Sequence, residues 1–98
     1  MLIKVHKARR YIVTLCDKEI LGKKFEEGKK ELDLTGEFFQ GEQKTEEEIK
    51  KILLFYKKED ASFNFVGERS CSLALNIGLI KEDNIGKIAG IPYALVLL

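Results

Sequence analysis

A chain of 98 residues, 45% of them hydrophobic and 34% charged, is long enough for one two-layer core, too short for two, and too apolar to be disordered. The formal net charge of +1 argues against a uniformly basic surface, and two distant cysteines with no Cys-x-x-Cys pair exclude a zinc framework or a disulfide scaffold. Residues 1–98 are therefore expected to form a single domain in a reducing cytosol, without metal or cofactor, and the charged groups Lys4, Lys7, Arg9 and Arg10 interrupt the only apolar start that could resemble a signal peptide.

Met1 to Lys7 and Tyr11 to Cys16 both alternate apolar and polar side chains, the period of a strand. A two-residue turn between them would mix the faces, whereas a three-residue loop from Ala8 to Arg10 pairs Val5 with Val13 and Ile3 with Leu15. One clean core face follows, made of Ile3, Val5, Tyr11, Val13 and Leu15. The other face, with Leu2, Lys4, His6, Ile12, Thr14 and Cys16, is half polar and expected to be partly exposed. After Asp17, the run Lys18 to Lys24 reads as a helical turn or loop that tucks Ile20 and Leu21 onto the core. Lys29 to Leu34 reads as a short strand with Leu32 and Leu34 on one side, and Thr35 to Lys44 as a loop pinned by Phe38 and Phe39.

Thr45-Glu46-Glu47-Glu48 is a capping box, and its acidic first turn suits the positive end of a helix dipole. Ile49, Ile52, Leu53 and Tyr56 follow at core spacing, so a helix runs to Lys57 or Lys58. Ala61 to Phe63 reads as an extended link into a second helix that starts at Asn64 as its cap, the preferred reading, or at Gly67, and ends before Gly78, with Leu79 folding back on Leu73 or Ala74. Gly67, Ser70, Cys71 and Ala74 line that helix with side chains small enough for close packing. Ile85 to Ala89 and Tyr93 to Leu98 read as strands joined through Gly90-Ile91-Pro92, the last strand being apolar on both faces and so expected inside a sheet or against a partner. The terminal run is far too short to cross a bilayer, so no membrane is expected. The elements sum to an α+β fold, a mostly antiparallel sheet of four to five strands with two helices packed on one face.

Charge is the most informative departure from the average. Residues 1–30 carry nine Lys or Arg against four Asp or Glu, residues 31–60 carry five against nine, and residues 61–98 carry three of each. Lys4, His6, Lys7, Arg9, Arg10, Lys23 and Lys24 form one basic patch able to meet phosphates if the Lys18–Lys24 run returns beside the hairpin tip. Tyr11, next to Arg10, is the candidate for stacking on a base. Glu68-Arg69 is the sharpest polar pair near the second helix, readable as an anion site or as a structural anchor in which Arg69 bonds a carboxylate or loop carbonyls. His6 is the sole histidine, Cys71 is expected to be a buried inert thiol, and Cys16 is the more exposed to reaction of the two. No catalytic set and no phosphate-binding loop is present.

The segments CDKEILGKKFEEG (Cys16 to Gly28), NFVGERS (Asn64 to Ser70) and LIKEDNIGKIAGIPYA (Leu79 to Ala94) together resemble the archaeal domain-of-unknown-function family numbered 424, over nearly the whole chain. Tyr93 stands where a histidine often follows the proline in that family, so a role needing an imidazole there does not carry over. The resemblance implies a small cytoplasmic archaeal protein with a link to RNA or translation, and no established activity. Two uses follow: a non-enzymatic RNA- or ribosome-associated module acting through the basic patch, or a protein-interaction or homodimerisation module acting through the apolar C-terminal strand.

Overall fold

Alternating side chains fix the opening hairpin in the computed structural model, which describes residues 1–97. β1 (Leu2–Lys7) and β2 (Tyr11–Cys16) pair antiparallel with Val5 opposite Val13 and Ile3 opposite Leu15, the register that a loop of Ala8 to Arg10 requires. Ile3, Val13 and Leu15 are buried in the main core. Val5 and Tyr11, expected beside them, stay partly open at the loop end of the hairpin, Val5 with 36% of its surface in solvent.

Beyond β2 the chain leaves the sheet. Lys18–Ile20 makes one 3-10 turn, and β3 (Lys24–Glu27) pairs antiparallel with β4 (Lys30–Asp33) as a separate two-stranded sheet. Leu32 and Leu34 do fall on one side, where with Ile20, Leu21, Phe25 and Phe39 they surround Cys16 and Val66 in a second apolar cluster. On the hairpin's other face, expected to be partly exposed, Lys4, His6 and Ile12 are half-exposed, while Leu2, Thr14 and Cys16 are buried, Cys16 within this second cluster. β5 (Glu42–Gln43), too short to leave a periodic signal, pairs with the start of β1.

α1 (Glu46–Lys58) begins on the full capping box, in which the Glu48 main-chain N–H donates to Thr45 Oγ1 at 3.2 Å and the Thr45 N–H donates to Glu48 Oε1 at 3.1 Å. Such a cap contributes about 1 kcal/mol. Ile49 and Leu53 are buried and Ile52 and Tyr56 packed against the core, as their spacing requires. The segment expected as a link and then a helix start is instead β6 (Ser62–Val66), a strand parallel to β2 that buries Phe63 and Phe65 completely. Burial of one such ring stabilises by about 1.5–3 kcal/mol, more than a turn of helix capped by Asn64 would return.

α2 (Glu68–Asn76) therefore starts at Glu68 with Gly67 at its N-cap, three residues later than the preferred cap Asn64 and at the alternative the sequence offered. Its end follows expectation: Gly78 takes a φ of 77°, its N–H donates to the Leu75 carbonyl, and the Leu79 N–H folds back to the Ala74 carbonyl at 2.9 Å. β7 (Gly86–Ile88) and β8 (Ile91–Val96) form a hairpin tighter than expected. Ala89 and Gly90, with φ of 51° and 81°, make the turn alone, and Ile91 and Pro92 belong to β8. Leu98, the last residue of the expected strand, lies outside the described residues.

The main sheet runs β5-β1-β2-β6-β8-β7, with β2 and β6 parallel and the other pairs antiparallel. Six strands rather than four or five result, and both helices contribute to the single core cluster on one face, so the fold is α+β. Among the described residues no helix is long and apolar enough to cross a membrane.

Candidate functional site

Strand β2 has a chemically different environment at each end. Its C-terminal end delivers Asp17, a buried carboxylate, to the start of α2. The Arg69 main-chain N–H donates to Asp17 Oδ2 at 3.0 Å, while the Ser70 N–H and hydroxyl both donate to Oδ1, at 2.9 and 2.8 Å. The Asp17 N–H donates to the Val66 carbonyl at 3.0 Å, which locks β2 to β6 at the same point. An anion thus does sit at the positive end of α2, and it is the chain's own. Sequence reading placed that role on Glu68 and Arg69, whose side chains are exposed, and missed Asp17. Arg69 helps to fix the helix start through its main chain, not through its guanidinium.

Gly67 makes this arrangement possible. Its φ of 108° lies where side chains are strained, and a Cβ there would stand 2.2 Å from the Asp17 carboxyl carbon. The Gly67 N–H donates to the Pro92 carbonyl at 2.9 Å, and its own carbonyl accepts the first helical bond, from Cys71 N at 3.0 Å. Pro92 has no N–H to compete for that carbonyl, so a proline inside β8 costs no ladder bond at this position. Asp17, Gly67 and Pro92 each come from one of the three segments CDKEILGKKFEEG, NFVGERS and LIKEDNIGKIAGIPYA, and they border a cleft of about 400 Å³ together with Glu68, Arg69 and Ile91. Glu68 and Arg69 also border a second cleft of about 520 Å³ that includes Met1, Lys44 and Glu46. Among the described residues no buried side-chain polar atom lacks a partner.

The two thiols flank this junction and are both buried. Burial, and then the Asp17 charge, push the Cys16 thiol up to about 12 and the Cys71 thiol up to about 11. Cys16, which sequence order left as the more reactive of the pair, is fully buried. No group of three His, Cys, Asp or Glu that could hold a metal ion occurs among the described residues.

The seven expected cations do not gather on one surface. Lys7, Arg9 and Arg10 stand exposed at the loop end of the β1–β2 hairpin, where Arg10 makes an interaction within the protein. Lys23 and Lys24 lie beyond the opposite end of β2, because Leu34 N bonds the Lys23 carbonyl and the Leu34 side chain packs on Cys16. Six strand residues at about 3.3 Å each separate the two groups by roughly 17–20 Å. Lys24 is moreover paired with Glu31 at 2.9 Å and Glu26 at 3.5 Å, and its hydrogen bond to Glu31 heads the causes that hold the ammonium above its ordinary pKa. Lys4 and His6 point to the opposite face from Val5 and Lys7 and secure the aromatic loop. Lys4 Nζ donates to the Glu37 carbonyl at 3.0 Å, His6 Nε2 lies 3.0 Å from the Phe38 carbonyl, and the His6 and Phe38 rings stack at 4.6 Å.

What the hairpin end gains comes from α1. Tyr11 meets Tyr56 edge-on at 5.0 Å, and Tyr56 meets Phe55 edge-on at 5.0 Å, so the last turn of the helix is drawn against the hairpin. Lys57 and Lys58 arrive with it, followed by Glu59 and Asp60, all exposed. The result is three neighbouring aromatic rings with Lys7 opposite Tyr11 in the hairpin and Lys58 one turn on from Phe55, while Arg9, Arg10 and Lys57 follow nearby in the chain. Sequence reading found Tyr11 and the core position of Tyr56, but not their contact. Phe55, one residue off the core stripe and 55% exposed, carried a usable signal: an aromatic that the helical period does not bury.

The family described as "Protein of unknown function (DUF424)" matches residues 6–98 of this sequence. A solved structure, described as an uncharacterised conserved protein from Methanopyrus kandleri, superposes with a TM-score of 0.82 at 26% identity, over 97% of this chain and 88% of that one. No curated protein matches the chain.

Proposed function

Because the chain belongs to the DUF424 family, whose description assigns no activity, we propose from the surface itself that this is a non-enzymatic, RNA- or ribosome-associated binding module acting through the loop end of the β1–β2 hairpin. The observation that carries the reading is the contact between Tyr11 and Tyr56, which adds Lys57 and Lys58 to Lys7, Arg9 and Arg10. Five cations against the two carboxylates Glu59 and Asp60 give this end a positive field in a molecule of net charge +1. Such a field attracts a polyanion and binds it by releasing counterions, so affinity falls steeply with salt. Lys4, His6, Lys23 and Lys24 are outside this surface. The test is titration of ribosomal or total RNA at rising salt with the wild type and with Arg9→Glu/Arg10→Glu. Salt-sensitive affinity that drops about tenfold in the variant supports the reading, and unchanged affinity rejects it.

A second reading is favoured by a different surface. Leu95 on β8 and Leu97 just beyond its end are 54% and 73% exposed, past Tyr93 where pairing with β7 ends. A second copy pairing there would make a homodimer. Sedimentation over a range of concentrations tests it: a monomer throughout removes it, and a dimer abolished by Leu95→Lys supports it.

A further inference from the structure

We infer that the hairpin-end surface takes RNA in its unpaired form, with bases stacking on the row Tyr11–Tyr56–Phe55 while Lys7, Arg9, Lys57 and Lys58 meet the phosphates. The inference rests on the reading above and names the ligand's conformation. Isolated exposed apolar residues are ordinary, and Leu54 at the back of α1 needs no ligand to explain it. Phe55 is different in three respects. It is among the most exposed large apolar side chains described and belongs to neither core cluster. It extends a line of rings spaced 5.0 Å apart, the inner two of which, Tyr11 and Tyr56, are anchored against the core. And Lys7, paired across the hairpin with Tyr11, and Lys58, one helical turn on from Phe55, put positive charge beside that line, which selects a negatively charged occupant over a purely apolar one.

Successive rings are turned by 64° and 83°, so the row is a stepped surface and not a flat wall. A single strand, whose bases rotate independently about its backbone, fits a stepped surface. A duplex does not, because its base faces are already consumed by its own stack and its A-form grooves present sugar and phosphate. Each base stacked on an aromatic side chain contributes about 1–3 kcal/mol with little sequence preference. Stacking on one exposed ring thus corresponds to a change of roughly tenfold in affinity.

The experiment compares a labelled oligouridylate with a hairpin-free RNA duplex of equal length, for the wild type, Phe55→Ala, Phe55→Trp and Arg9→Glu/Arg10→Glu. The expected result is a preference for the single strand of about tenfold, lost in Phe55→Ala, kept in Phe55→Trp, with the salt slope of Phe55→Ala unchanged. Phe55 is more than half exposed, so Phe55→Ala should melt as the wild type does, which separates lost stacking from lost folding. Equal binding of duplex and single strand, or a Phe55→Ala variant that binds as the wild type, overturns the inference while leaving the electrostatic reading standing. Absence of RNA binding by the wild type overturns both.

Discussion

The two ends of strand β2 use charged residues in opposite ways. At the Asp17 end, the carboxylate is buried and accepts three hydrogen bonds from α2, so its own bonding capacity is met within the chain. At the Tyr11 end, Lys7, Arg9, Lys57 and Lys58 face solvent, and aromatic surface is left beside them. The difference teaches how to sort polar residues in a protein with no catalytic signature. A charge whose hydrogen-bonding capacity is met within the chain works on the fold, whereas charges left facing water beside exposed rings remain available to something else.

That contrast breaks most visibly at the buried end. Asp17→Ala should cost about 3 kcal/mol in urea unfolding, because it removes the helix cap and leaves the Ser70 N–H, the Ser70 hydroxyl and the Arg69 N–H without partners. Gly67→Ala should cost a similar amount, about 3 kcal/mol, since it combines a strained φ with a collision against Asp17. Neither should change the salt dependence of RNA binding in the protein that still folds. A loss below about 0.5 kcal/mol for Asp17→Ala would place the junction outside the folding core.

A smaller effect sharpens the same contrast from outside both ends. Thr45→Ala should destabilise by about 1 kcal/mol at neutral pH. The Thr45 main-chain hydrogen bond, then its side-chain one, hold the Glu48 carboxyl below its ordinary pKa. A carboxylate depressed in the folded state stabilises above its unfolded pKa and loses that contribution as pH falls. The gap between wild type and Thr45→Ala should therefore narrow on acidification through the carboxylate range, as followed by thermal melting at several pH values. Smallest of all, native Cys16 and Cys71 should resist a thiol reagent at neutral pH, where burial keeps both protonated, and react only on unfolding.

Local chemistry was legible in the sequence, and long-range partnership was not. Alternation in β1 and β2 settled a register, the Thr45–Glu48 spacing a helix start, and Gly78-Leu79 a helix end, because each is decided by residues within one turn or one hairpin. β6 was misread since Asn64 between Phe63 and Phe65 looks locally like a cap, and its true role is set by parallel pairing with Thr14, across a crossover that leaves no local mark. Asp17 was passed over for the same reason: its partner Ser70 lies 53 residues away. Lys23 and Lys24 were expected at the hairpin tip because their sequence neighbours offered no reason to send them elsewhere. Packing of Phe25 and Leu34 on Cys16 is what carries them to the other end. Glu27, exposed to solvent, accepts the Ala89 N–H at 2.8 Å across 62 residues of chain, another contact with no local mark.

Charge reversal at each end of β2 is the most direct test of the central claim. RNA affinity at moderate salt should fall at least about tenfold in Lys7→Glu/Arg9→Glu and stay within about twofold of wild type in Lys23→Glu/Lys24→Glu, with both variants folded by circular dichroism. Equal losses in the two variants, or a larger loss from Lys23 and Lys24, would contradict the division of labour between the two ends.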